Sequence, residues 1–558
     1  MAAPLSTDNK DGSRHVEDHD GPAGDVNDIQ AAKDWNRLKE DATLATQDEH
    51  NTSFLEGCRR YPKAAAWSCL VTMCIIMDGY DQALISGFFA FPAFTKHYGH
   101  ELRDHPGRYV MYGPWQMALG FAAPVGNMFG IYLNGWLVDK MGHKKALHVG
   151  LFIICGLIFI QFFAKNVETL FVGQILLGVP WGIFATLAPS FASEVAPLVL
   201  RSYLETWVVT CWGIGQFFSY AVLFTLNTNL SEWAYRIPFA VQWVWPVAIL
   251  PFALFVPESP WWLVRKGRIE QAEKSVMRLT SAPTKEIQRE NAKKAVALMI
   301  ETNKLEQDLD DDISWTACFK GTDLRRTEIS AFTWASQVLT GFVIQGYSTF
   351  FFQQAGLSPN DSFKMTLGVG GVHLLGNLLS MTLTGNYGRR TLWLWGCAVE
   401  AVLMFAMGFV AIPKQSTAFG FATSALYILW FGIWCLTLGP LPYIINGEVS
   451  ATRLRTKTIA VSRAAYQVLG IINSIVTPYL LNPEYANLKG KVALITASFT
   501  VVTFIWAWFR LPETGGRTYE ELDILFNEKG LKARQFRHVV IHREGDTIRV
   551  EGPHNTPN

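Results

Sequence analysis

Charge is scarce in this chain: Asp, Glu, Lys and Arg make up 17% of its 558 residues, where a water-facing globular surface draws on about a quarter. What charge there is nearly cancels, to a net +1. No basic face stands out, and that sets nucleic-acid binding aside, because counterion release needs many clustered Lys and Arg side chains. Cysteine is sparse as well. The eight residues (Cys58, Cys69, Cys74, Cys155, Cys211, Cys318, Cys397 and Cys435) include no CxxC pair, so they read as small apolar packing residues. Also missing are a nucleophile triad, a metal-ligand cluster and a phosphate-binding glycine loop, so an enzyme, a metal and an organic cofactor are not expected. The first twenty residues, MAAPLSTDNKDGSRHVEDHD, lack the apolar core of a cleavable signal peptide. The first apolar run is therefore expected to direct membrane insertion itself.

Hydrophobicity is what the chain has in abundance, at 50% of residues. Apolar runs recur near 64–92, 114–138, 146–164, 168–192, 202–226, 237–256, 328–352, 363–384, 391–411, 418–446, 457–481 and 492–510. Each is long enough for a hydrocarbon core of ~30 Å. The expected fold is an all-α membrane protein of twelve transmembrane helices in two six-helix halves. Residues 1–62 form a polar tail whose composition suggests disorder, 63–256 the first half, 328–510 the second half, and 511–558 a second polar tail. The segment 257–327 carries helical alternation in RIEQAEKSVMRL (Arg268–Leu279); it reads as helices bridging the halves, or else as a solvated linker. Arg59, Arg60, Lys63, Lys140, Lys144, Lys145, Arg389, Arg390 and Lys457 fall on the side shared by both termini, while Lys165 and Arg236 are typical of the sparser opposite side. That bias places both termini and the linker in the cytoplasm.

The halves repeat one another. SEVAPLVLR (Ser193–Arg201) returns as GEVSATRLR (Gly447–Arg455), VPESP (Val256–Pro260) as LPETG (Leu511–Gly515), and MGHKKAL (Met141–Leu147) loosely as YGRRTLW (Tyr387–Trp393). One duplication with a long insertion explains all three, and a parallel repeat of this kind places a substrate site between the halves near the bilayer midplane. Gly135–Leu147 adds an acid, a basic triplet and glycines in a tight turn, where the acid can pair with a base or cap a helix end. The candidate cytoplasmic gate is Asp139, Lys144, Lys145, Glu194, Arg201, Glu448 and Arg455.

These motifs, together with PESPWWL (Pro257–Leu263), GPLPY (Gly439–Tyr443) and PETGGRT (Pro512–Thr518), resemble the sugar porters of the major facilitator superfamily over about residues 60–525. More narrowly, MDGYDQALISGFFAFPAF, GVPWGIFATLAPSFASEVAP, GYSTFFFQQAGL and TPYLLNP resemble the fungal maltose and lactose permease group. The resemblance implies a plasma-membrane, multi-pass carrier that moves neutral oligosaccharides, disaccharides in that group, by proton-coupled alternating access. Protons are then the coupling ion, and a sugar and the bilayer are the partners. A sugar sensor that signals with little transport, through cytoplasmic partners of the tails, and a passive uniporter of the same fold stand as alternatives.

Ionisable groups inside the spans mark coupling sites, and those counted are Asp78, Asp81, His373 and Arg463. Asp78 and Asp81, at i and i+3, project from nearly one helical face. Two carboxylates close together in low dielectric resist double ionisation, so one can hold a proton. The resemblance assigns the proton to Asp81. Where the family commonly carries a span-four arginine this chain has Gln174, which leaves Arg463 as the cation available to the pair. For the sugar, the family pattern implies Gln337, Tyr347, His373 and Tyr443. Gln345, Asn377 and Gln467 lie on plausible inward faces, and Trp181, after Pro180, offers a stacking platform. Asn229-Leu-Ser231 and Asn360-Asp-Ser362 are glycosylation sequons in expected outer loops.

Overall fold

Proline opens several of the membrane helices, because its missing N–H falls where a helix has no acceptor to offer. It does so in span 1 (Pro62–Phe88), span 2 (Gly113–Met141) and span 8 (Pro359–Asn386). Polar caps contribute too: Asn166 accepts from the Thr169 amide before span 4 (Val167–Val195), and in span 8 Ser358 accepts from that of Asp361 alongside the proline. The remaining spans are 3 (His143–Phe162), 5 (Leu198–Leu226), 6 (Trp233–Ala253), 9 (Arg389–Val410), 11 (Arg455–Leu481) and 12 (Val492–Arg510). Spans 7 (Gly321–Leu339, then Ser348–Gln354) and 10 (Thr417–Leu436, then Leu441–Val449) are each broken into two helices. This computed structural model describes residues 54–102, 107, 109–196, 198–310, 315–413, 417–451 and 454–515, and most positions of 517–551. The expected polar N-terminal tail therefore lies outside the described residues up to 53, and the side chains of Arg201 and Arg455 lie outside them too.

By length and composition, ten helices among the described residues can cross a membrane. The two others of the expected twelve are spans 2 and 7, and each has a physical reason. Span 2 is diluted by Gln116, Asn127, Asn134 and a row of glycines. Span 7 begins with charged residues and is interrupted at 340–347, where Val343 takes φ 73° and Gly346 φ 88°. A β-branched residue at positive φ is strained. Asn473 of span 11 compensates by accepting the Val343 amide at 2.7 Å.

The two halves repeat one packing plan. Span 1 packs on span 5 as 7 does on 11, span 2 on 4 as 8 on 10, and span 3 on 6 as 9 on 12. Between the halves, span 5 meets span 8, span 2 meets span 11, and the second piece of span 7 meets span 1. The linker is helical at Pro260–Arg265, Ile269–Leu279 and Lys285–Asp310. The segment beyond 511 is more than a polar tail: Leu511, Leu522, Leu525, Phe526, Phe536 and Val539 join the second half's core, and Val540–Glu544 pairs antiparallel with Thr547–Glu551.

Candidate functional site

Span 1 carries its two carboxylates to two different neighbourhoods. Asp81, 1% exposed, accepts from Gln242 Nε2 of span 6 at 2.8 Å and from Gln174 Nε2 of span 4 at 3.2 Å. Gln161 of span 3 interacts with the same carboxyl without completing a hydrogen bond. Three amides thus stand where a charged partner was expected. Asp78 instead faces the second half, within electrostatic reach of Arg463. Arg463 does not balance both acids. Its guanidinium lies in an aromatic cage, 4.2 Å from the Trp334 ring and 5.8 and 5.9 Å from those of Tyr443 and Tyr466, a position that favours a cation.

His373 sits at the seam of the halves, its Nδ1 3.0 Å from Gln216 Oε1 of span 5 and its ring edge-on to Trp212 and Phe431. Asn377, one turn on, is buried, and its Nδ2 has no hydrogen-bond partner among the described residues. Gln467 reaches across to Asn127 Oδ1 at 3.5 Å. Tyr443 is 39% exposed and presents its ring beside Arg463. Gln345 lies in the span 7 break, partly exposed.

Three expected sugar contacts serve the fold in this state. Gln337 donates to the Gly439 carbonyl, joining the two broken spans 7 and 10. Tyr347 is buried, with its ring 6.0 Å from that of Phe89. Trp181 is a correction: it is 1% exposed in the core of the first half with Leu177 and Phe184, so it offers no ring face to a ligand. Glu400 of span 9, 0% exposed, is a further intramembrane ionisable group. A lone acid in the apolar run 391–411 was the sequence signal for it.

At the end of the bundle away from the termini the halves are locked together. His100 Nε2 lies 2.6 Å from Glu484 Oε1, Asn482 donates to the Met111 carbonyl and to Gln116, and Gln353 donates to the Ala90 carbonyl at 2.8 Å. Asn229, whose Oδ1 accepts from the Ser231 amide, and Asn360, at the start of span 8, sit exposed at this end.

At the termini end the repeated motifs form two matching clusters, each within its own half. Glu258 of VPESP accepts from the backbone amides of Lys144 and Ser259 at 3.2 and 3.1 Å, capping span 3. Gly142 lets it approach, since a Cβ there would lie 2.5 Å from its Oε2. Burial outweighs these donors and holds the Glu258 carboxyl above the ordinary glutamate range. Glu513 of LPETG packs against Gly388 in the same way, where a Cβ would lie 2.3 Å from its carboxylate. The neighbouring hydroxyls complete the pattern: Ser259 donates to Glu194, and Thr514 to Glu448 at 2.6 Å. Glu194 also pairs with Arg265 at 2.6 Å, and Glu448 with Arg389 at 2.9 Å. Asp139, 79% exposed, pairs with Lys266. Lys144 Nζ donates to the Leu254 carbonyl, and Lys145 is exposed. Asp139, Glu194 and Glu448 therefore each tie their own half to the segment that follows it. Glu258→Ala removes the cap and strands buried amides. It is expected to lower stability by ~1–2 kcal/mol, read as a fall in the thermal midpoint of the purified protein, with Glu258→Gln losing less.

Two six-helix halves related by a repeat, with a polar seam between them, define a membrane carrier. The family described as sugar (and other) transporter matches residues 67–526, and the chain belongs to it. It is 37% identical over 506 residues, 90% of its length and 81% of the relative's, to the general alpha-glucoside permease of Saccharomyces cerevisiae. It is 35% identical over 503 residues, covering 89% of this chain and 81% of the other, to the same organism's maltose permease MAL31. Among solved structures it is similar to a partially occluded inward-open form of the xylose transporter XylE from E. coli, with TM-score 0.65 and 20% identity over 82% of this chain and 100% of that one. The proton:xylose symporter XylE bound to 6-bromo-6-deoxy-D-glucose is similar too, at TM-score 0.65 and 21% identity over 84% and 99% of the two chains.

Proposed function

We propose that the protein is a plasma-membrane, proton-coupled permease for neutral α-linked glucosides of disaccharide size, with both termini in the cytoplasm. The observation that carries the substrate is the similarity over nine-tenths of the chain to alpha-glucoside and maltose permeases. The seam offers suitable chemistry: amides on Asn377, Gln345 and Gln467 to exchange hydrogen bonds with sugar hydroxyls, and the exposed Tyr443 ring to take a pyranose face. Asp81 is the proton site. The locked far end and the exposed Tyr443 fit a state open toward the cytoplasm, in which the Glu194 and Glu448 clusters keep each half rigid as it rocks. The substrate is tested by competition against labelled maltose uptake in yeast expressing the chain. Unlabelled maltose is expected to compete strongly, and cellobiose, lactose and glucose weakly. Equal competition by cellobiose and maltose would overturn the α-linked assignment.

A further inference from the structure

A cavity of about 510 Å³ lies at the termini end of the second half, walled by Arg325, Arg510, Lys532 and Arg534 with Phe509 and Leu531. One of its charges is spoken for, because Arg510 holds Glu328 through two hydrogen bonds. Arg325 lies within electrostatic reach of that same Glu328, and Lys532 and Arg534 have no carboxylate partner among the described residues. Arg325 donates one Nη to the Leu531 carbonyl at 3.2 Å, while its Nε has no partner among the described residues. Arg534 lies over the rings of Trp508 and Phe509, at 4.3 and 5.7 Å from their centres. Lys532 is exposed.

The position of this cavity matters as much as its charge. Arg510 is the last residue of span 12, and just before it Ile505, Trp508 and Phe509 turn outward, Phe509 to 65% exposure. In a bilayer these three meet acyl chains, and aromatic rings mark the headgroup level. Cations therefore begin where the lipid-facing surface ends. Basic pockets beside membrane helices suit anionic headgroups, since phosphate oxygens accept charge-assisted bonds from guanidinium groups.

We propose that this cavity binds the phosphate of an anionic phospholipid, the acyl chains lying along Ile505 and Phe509 and the headgroup reaching Arg325, Lys532 and Arg534. Free inorganic phosphate shares the headgroup's chemistry but gains nothing from the apolar wall.

The test uses the full-length protein in phosphatidylcholine nanodiscs doped with labelled phosphatidylserine, with bound lipid read by native mass spectrometry. The wild type is expected to retain phosphatidylserine over phosphatidylcholine, and Lys532→Gln/Arg534→Gln to retain it roughly tenfold more weakly. An unchanged thermal midpoint in pure phosphatidylcholine shows the double variant folded. Excess inorganic phosphate is expected to leave the lipid bound. Equal retention by wild type and variant, or no preference over phosphatidylcholine, overturns the proposal. Full displacement by phosphate overturns it in favour of a free-anion site.

Discussion

Asp81→Asn is expected to abolish accumulation against a gradient while leaving sugar exchange across the membrane. In vesicles with one pH unit and 100 mV imposed, one proton per sugar sets a ceiling of roughly five-hundredfold accumulation. The variant is expected to stop at a ratio of about one. The reason lies in the three glutamines. An arginine beside Asp81 would hold it ionised, but an amide donates from nitrogen and accepts at oxygen. Gln174 and Gln242 now donate to the carboxylate, and the Oε1 of each is buried without a partner among the described residues. Turning either amide over would let it accept from the protonated acid, so the cage can serve both states of Asp81. Asparagine at 81 fits the same cage but carries no proton. Retained uphill accumulation in that variant would remove Asp81 from the coupling role, and wild-type uptake that only equilibrates and ignores pH would make the chain a passive carrier.

Gly130→Val and Gly182→Val are expected to eliminate folded protein, seen as loss of the monodisperse peak on size exclusion, with a cost above about 3 kcal/mol from overpacking. Spans 2 and 4 cross backbone to backbone at Gly126, Gly130, Gly178 and Gly182. A Cβ at Gly130 would lie 2.0 Å from the Val179 carbonyl oxygen, and one at Gly182 would lie 2.2 Å from that of Asn127. Carbonyls inside two packed helices cannot step aside as a flexible side chain could. Gly135→Ala on the same helix is the control. A Cβ there meets nothing within 4 Å, so stability should hold or rise slightly. If Gly130→Val purified with a wild-type midpoint, the close crossing would not be a determinant of the fold. The signal was present in the sequence as two small-xxx-small spacings, GNMFG and GVPWG, although neither says which helix meets which.

Span count and the repeat were legible because each is written locally: apolar run length answers to bilayer thickness, and the PES and PET motifs recur at matching positions. The candidate site was legible only by residue type. Gln161 and Gln242 lie far from Asp81 along the chain and in spans whose own patterns do not mark them, so their convergence on one carboxyl was invisible. Trp181 misled because a tryptophan beside a proline reads alike whether it lines a cleft or fills a core. Glu194 is marked as a gate residue by the repeated motif, but its partners Ser259 and Arg265 come from the next segment of chain, which the motif does not reveal. By itself the sequence determined how many helices cross the membrane, that two similar halves carry them, and that Asp78 and Asp81 are buried in the first. Only the tertiary structure decided that Asp81 answers to three neutral amides and Asp78 to Arg463. Which side chain a buried charge meets depends on how helices from distant parts of the chain pack, and helical periodicity carries no record of that.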